Sequence, residues 1–218
     1  PEDLVHRYGL AATKYFLLRE MPVSQDGLFT PEAFIERYNF DLCNDLSNLL
    51  NRTVAMVNKY FEGKLPKYNG TPNAVDKELE EYANTKIKDF EEKWNDYQIS
   101  VAIQEIWDLV SRTNKYIDET SPWQLAKENK KEELESSMYH LVENIRKIAI
   151  LIAPFMNDTS KNILKQIGIE KENLKTWDSL NYYDKLEDIK VTDKKEPIFM
   201  RLNKEEEVEY IKSLMKSN

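Results

Sequence analysis

The sequence predicts a mainly α protein, an antiparallel helix bundle with short flanking segments. Three observations carry this. Only five glycines and eight prolines occur in 218 residues, too few for the turns of an all-β fold. Charged residues make up 32% of the chain, many of them Lys and Glu at helical spacing. Apolar residues recur at three- and four-residue intervals over long stretches. With 41% hydrophobic residues, a chain of this length buries a core without staples. It reads as one domain, or one domain with a small appendage.

The elements follow in order. "EDLVHRYG" is a short helix capped by Gly9, and "LAATKYFLLREM" a second, with Tyr15 and Leu18 on one side. Pro22 and the Asp26-Gly27 pair mark a turn. Thr30 as N-cap, Pro31 at the first helical position and Glu32 in the first turn start a helix. Its periodicity runs to Gly63 and Pro66, as one long helix or two joined near Asp41. Leu79, Tyr82, Ile87, Phe90, Trp94, Val101, Ile106, Trp107 and Val110 keep a helical rhythm too long for one helix, so a break falls near "DYQIS". "TSPW" opens another helix, and the next runs to Pro154. A shorter helix closes at Gly168. Beyond it lie irregular or short-strand material and a charged terminal helix, "KEEEVEYIKSLM".

Composition excludes several classes of function. No apolar run approaches the roughly 18 residues of a membrane span. The single cysteine, Cys43, rules out an internal disulfide, fits a reducing, cytoplasmic setting and reads as a small buried hydrophobe. No leader is recognisable and the chain starts at Pro1, so a piece of a longer protein is expected. A net charge of −8 argues against gripping nucleic acid mainly through phosphates. Residues 44–68 nevertheless carry four basic side chains (Arg52, Lys59, Lys64, Lys67) against two acidic (Asp45, Glu62), a local +2. There is no glycine-rich phosphate loop and no metal-ligand spacing. His6 and His140 read as surface or core residues. The acidic runs "KELEE", "EEKWND" and "KEEEVE" read as solvated helical faces.

Two features stand out. In "NDLSNLLNRT" (44–53), Leu46, Leu49, Leu50 and Thr53 form a buried stripe. Asn44, Asn48 and Arg52 are four apart on the opposite face, within about 80° of arc at 100° per residue, with Asn51 alongside. Each asparagine costs roughly half a kcal/mol against a good helix former. Such a ridge is a solvated face, a set of interhelical hydrogen bonds, or amides and a guanidinium aimed at base edges. In "DETSPWQLAK" (118–127), Ser121 or Thr120 caps a helix, Pro122 takes its first position and Trp123 is locked onto the first turn. Trp123 is then either a buried staple or a rigid platform for an unstacked base.

Together the two motifs resemble the anticodon-binding region of methionyl-tRNA synthetases, which are class I aminoacyl-tRNA synthetases. "YGLAATKYFLLREMPVSQDGLFT" (8–30) is similar to the family's segment after the KMSKS loop, and "RYNFDLCNDLSNLLNRT" (37–53) and "NKYIDETSPWQLAK" (114–127) to its bundle motifs. "ILIAPFM" (150–156) and "EPIFMRL" (196–202) match more loosely. The resemblance implies that Asn48 and Arg52 hydrogen-bond anticodon bases, with Asn44 one turn earlier. It implies that Trp123 stacks on the first base, cytosine, and that Pro122 sets it. The anticodon would be CAU, on the loop of tRNA(Met). It further implies a linking, stem-contact segment at 1–30, the anticodon-binding bundle at 31–170, and a tail at 171–218 packing on the bundle or on a catalytic domain absent here. The parent would ligate methionine to tRNA using ATP and Mg2+. This piece would hold no cofactor, be inactive alone, and bind neither membrane nor DNA. Ser47 stands where glycine is common, Ser121 where alanine is, and Met200 where proline is usual; Ser47 and Ser121 are expected to stay clear of the contacts. The HIGH and KMSKS signatures are absent. An anticodon bundle of the leucine, isoleucine, valine or cysteine enzymes, or a helical protein-interaction module, remains an alternative reading.

Overall fold

The structure, a computed structural model, describes residues 2–20, 27, 29–194 and 196–216. The expected turn at Pro22 and Asp26 lies outside those residues. Helices α1 (Glu2–Tyr8) and α2 (Leu10–Glu20) meet at Gly9, whose φ is +87° and whose amide donates to the Val5 carbonyl at 3.0 Å. This is the predicted C-terminal cap. Helix α3 (Pro31–Arg37) starts as expected, with the Thr30 hydroxyl accepting from the Ala33 amide at 3.2 Å.

The helix does not break near Asp41. It passes into a π-helical segment, Tyr38–Ser47, and on into α4 (Asn48–Phe61). π-Helices are usually single turns because their hydrogen bonds are poorly aligned. Here the neighbours help to hold one. Trp107 Nε1 donates to the Asp41 carbonyl at 3.0 Å and Asn114 Nδ2 to the Asp45 carbonyl at 3.2 Å. The Asn39 amide clamps Leu202, donating to its carbonyl at 3.0 Å and accepting from its N–H at 2.9 Å.

Helices α5 (Asp76–Asn95) and α6 (Ile99–Thr120) pack side by side, joined by a turn at the predicted break. Val101, counted with the apolar rhythm, is exposed on the first turn of α6. Cys43 is likewise only partly buried and faces a surface groove, which corrects its reading as a core residue. The short α7 (Pro122–Lys127) leads into α8 (Lys131–Ile152), against which α4, α5, α6, α7 and α9 (Asn157–Gln166) all pack.

From Ser136 to Ile152 every residue of α8 is buried. A helix submerged on all sides has to satisfy its polar groups internally, because an unpaired buried one costs about 1–3 kcal/mol. Arg146 Nη2 and Nε bind Glu143 at 2.6 and 2.9 Å, and the same guanidinium donates to the carbonyls of Leu174 and Ser179 at 2.7 and 2.9 Å. Lys147 Nζ donates to the Leu180 carbonyl at 2.8 Å and lies 3.7 Å over the Tyr183 ring. His140 is a core residue, with Nε2 2.8 Å from Glu80 and Nδ1 beside Ser136.

The tail is irregular, as predicted. It holds 3-10 turns at Glu172–Leu174 and Trp177–Asn181, and one isolated antiparallel bridge between Lys64 and Lys190. Helix α10 (Lys204–Lys216) returns onto α3, and Glu207 takes Arg7 at 2.7 Å and the Tyr8 hydroxyl at 2.5 Å. Glu207 and Glu80 therefore correct the reading of the acidic runs as wholly solvated. Their acidic neighbours Glu78, Glu81, Glu205, Glu206 and Glu209 are exposed, but these two turn inward to partners far along the chain.

Two outcomes follow from this packing. Gly168 sits at φ +76°, and a Cβ there would lie 2.1 Å from the Lys190 carbonyl oxygen. Gly168→Ala is expected to lose about 2–4 kcal/mol, seen as a fall in Tm of roughly 5–15 °C. Burial holds the Lys147 ammonium down to about 8, against the opposing pull of Glu143. An unfolded chain keeps that proton to about pH 10. Protons bound by the unfolded state alone make stability rise with pH, so the gain runs from about pH 8 to 10. Urea denaturation at pH 7.5 and 9.5 should show the wild type gaining about 1–2 kcal/mol more than Lys147→Met.

Candidate nucleic-acid interface

The ridge begins inside the π-helical segment and ends in α4. A π turn takes roughly 4.4 residues, so the Asn44–Asn48 step departs from the uniform 100° assumed from sequence. Both residues still reach one surface, Asn44 half-buried and Asn48 exposed. The leucine stripe behind them is buried as predicted, Thr53 with it, and the Thr53 hydroxyl has no hydrogen-bond partner.

Arg52, with 32% of its side chain exposed, donates from Nη2 to Asp118 Oδ1 at 3.0 Å. Asp118 lies in the last turn of α6, and its carbonyl accepts from Ser121 Oγ at 2.8 Å. This corrects the capping expectation. Neither Ser121 nor Thr120 caps α7 with its hydroxyl: Thr120 donates back to the Tyr116 carbonyl, and Ser121 closes the end of α6. Ser121 sits at φ +45°, a left-handed conformation that turns the chain sharply from α6 into α7. Its own carbonyl accepts the Gln124 and Leu125 amides instead. Pro122 is buried at the first position of α7, and Trp123 is 49% exposed. The ridge and the Trp123 turn are thus linked through two hydrogen bonds, Arg52 to Asp118 and Ser121 to Asp118.

Beside the ridge runs an open groove of about 570 Å3. One wall is Cys43, Asn44, Ser47, Asn48 and Asn51; the other is the tail segment Pro197, Phe199, Met200 and Arg201. Sequence reasoning missed this second wall, because residues 150 positions apart carry no shared periodicity. Ser47, expected to stand clear of the site, lines the groove, and its hydroxyl accepts from the Phe199 amide at 3.4 Å. Met200 is 69% exposed, and no acidic side chain pairs with Arg201 among the described residues. Burial pushes the Cys43 thiol up despite the opposing Arg201 charge, so it stays protonated at neutral pH. Asn51 Oδ1 and Asn114 Oδ1 are buried without partners. Under the ridge, burial and the neighbouring Asp41 push the Asp45 carboxyl up. The arrangement offers amide donors and acceptors, guanidinium forks and an exposed indole, which suits base edges and base faces better than it suits phosphates.

Among the described residues no three His, Cys, Asp or Glu side chains are placed to hold a metal ion, and no helix is long and apolar enough to cross a membrane.

The family described as "tRNA synthetases class I (M)" matches residues 1–54, which include Asn44, Asn48 and Arg52. The family described as "Anticodon binding domain of methionyl tRNA ligase" matches residues 66–216, which include Pro122 and Trp123. That match takes in more than half of the chain, and the chain belongs to this family. The methionine–tRNA ligase of Listeria innocua is 52% identical over 220 residues and that of Bacillus subtilis 50% over 219. In both cases the alignment takes in 100% of this chain and 33% of the relative, so the chain spans about a third of the length of the curated relatives it matches. Among solved structures, apo Mycobacterium tuberculosis methionyl-tRNA synthetase matches with a TM-score of 0.84 at 28% identity, over 92% of this chain and 40% of that one. The same enzyme in complex with methionyl-adenylate gives 0.83 at 29% identity, over 91% and 39%.

The Arg52–Asp118 pair is a surface contact, since Asp118 is 68% exposed. Asp118→Ala is expected to change stability by no more than about 0.5 kcal/mol. A loss above about 2 kcal/mol on chemical denaturation would mean that the pair holds α4 to α6.

Proposed function

We propose that this chain reads the CAU anticodon of tRNA(Met). The observation that carries the reading is the exposed Trp123 indole on a turn tied through Asp118 to Arg52. Trp123 stacks on the first anticodon base, with Pro122 and the left-handed Ser121 fixing its backbone, so little entropy is lost on binding. Asn48 and Arg52 hydrogen-bond base edges, and Asn44 extends the same face. Aromatic stacking contributes about 1–3 kcal/mol per base. This mode relies little on bulk positive charge, which fits a chain of net charge −8 and predicts a shallow salt dependence.

In the parent protein this recognition selects the tRNA to which methionine is ligated. Residues 1–30 link the bundle at 31–170 to the catalytic part and contact the tRNA stem, and the tail at 171–218 completes the bundle surface. ATP and Mg2+ belong to the catalytic part under this reading, and no residue of this chain is assigned to them. The setting is the cytoplasm, where tRNA is charged.

The test is a fluorescence titration with a CAU anticodon hairpin against the same hairpin with another first base. Trp123→Ala and Arg52→Ala are each expected to weaken CAU binding about 10- to 100-fold and to erase the preference for cytosine. Equal, salt-sensitive binding of both hairpins, untouched by either substitution, would sink the assignment of these residues.

A further inference from the structure

Helix α6 is 22 residues long, so its two ends lie roughly 30 Å apart. At the end away from Trp123, the last turns of α5 and the tail enclose a second surface feature. It is a slot of about 260 Å3 lined by Phe90, Glu91, Trp94, Asn95, Pro154 and Trp177. Buried Phe90 forms its floor. The rings of Trp94 and Trp177 lie 5.3 and 5.8 Å from the Phe90 ring, inclined to it by 32° and 39°. Trp94 also stacks on Phe155, with centroids 6.4 Å apart and planes inclined by 23°, and the slot volume is enough for a flat group.

The slot is rigid. Trp177 is 36% exposed, yet the segment carrying it is held by buried Arg146, through the carbonyls of Leu174 and Ser179, and by Lys147, through that of Leu180. Two residues beyond Asn95, Tyr97 stands 81% exposed at φ +60°. That backbone conformation is strained for an aromatic residue.

The charge around the slot is acidic. Trp177 Nε1 donates to Glu91 Oε1, and no donor reaches Oε2 of the same carboxylate among the described residues. Glu91, Glu92 and Asp96 have no basic partner among the described residues, and Asp178 lies beside Trp177. The Glu91 carboxylate in the slot repels phosphate, so this aromatic surface does not suit RNA as Trp123 does. A purely apolar anchor would strip water from Glu91 and give nothing back. A planar cation satisfies both parts, its face on an indole and its N–H groups on the carboxylate.

We propose that this slot receives an arginine side chain from a partner protein. The guanidinium lies on the exposed Trp177 indole, beside Trp94, and donates to Glu91. The inference does not depend on anticodon recognition, because it uses none of the residues assigned there.

The four tryptophans allow a direct test, since each indole N–H gives its own signal in a nitrogen–proton correlation spectrum. The probe is acetyl-Gly-Arg-Gly-Arg-Gly-amide, compared with the same peptide carrying citrulline for arginine. The Trp94 and Trp177 signals are expected to shift saturably with the arginine peptide, while Trp107 and Trp123 stay in place. The citrulline peptide should bind at least about fivefold more weakly. Glu91→Gln keeps an acceptor for the Trp177 indole but removes the charge, and should weaken the arginine peptide to a similar extent. Trp177→Ala, followed at Trp94, should abolish the shift. Equal binding of both peptides, equal shifts at Trp123, no saturable shift up to about 10 mM peptide, or a pentauridylate shifting Trp94 and Trp177 where the peptide does not would each overturn the proposal.

Discussion

The fold depends on the polar contacts that let α8 lie submerged. A helix carrying Glu143, Arg146 and Lys147 in its middle cannot be buried by apolar packing alone, because an unpaired internal charge is too costly. Here the tail supplies the missing acceptors. Arg146 satisfies Glu143 with one edge and tail carbonyls with the rest, and Lys147 takes the next carbonyl. The irregular segment after Gly168 is therefore a structural part of the core. The carbonyls it gives to the two cations lie at the ends of its short 3-10 turns, where no longer helix goes on to use them.

The same tail shapes the candidate surface from the other side. Asn39 grips Leu202, and the hydroxyl of Ser47 meets Phe199. These contacts set the tail beside the π-helical segment as a second wall. Two solutions to one problem thus operate at opposite ends of the tail. At one, buried cations bind its carbonyls; at the other, a buried amide binds both the N–H and the carbonyl of one tail residue.

Much of this was legible in the sequence. Thr30-Pro31 marked a helix start by chemistry that acts within four residues, and the structure places the cap there. The break between α5 and α6 followed from length and the missing rhythm at "DYQIS". Exposure of Trp123 was one of two readings, and the choice between them was tertiary. What stayed hidden depends on partners distant in the chain. The π winding over 38–47 rests on Trp107, Asn114 and Leu202. Glu207 and Glu80 sit in runs that look solvated until Arg7 and His140 are brought to them. Ser121 has the residue type of an N-cap, but its left-handed backbone turns the hydroxyl toward the helix before it. The groove wall at 197–201 was visible only as a loose family match, with nothing in it to say that it lies beside residues 43–51.

The groove joins residues 43–51 to residues 197–201, and this separation has a consequence in time. During synthesis at about 5–20 residues per second, the first wall leaves the ribosome roughly 10–30 s before the second. Through that interval the ridge exists without its groove, and for the shorter part of it between residues 147 and 180 α8 carries cations whose acceptors are not all made. The surface reaches its final shape only when residues 197–201 dock, so a copy ended before them would present the asparagines but not the cleft they line.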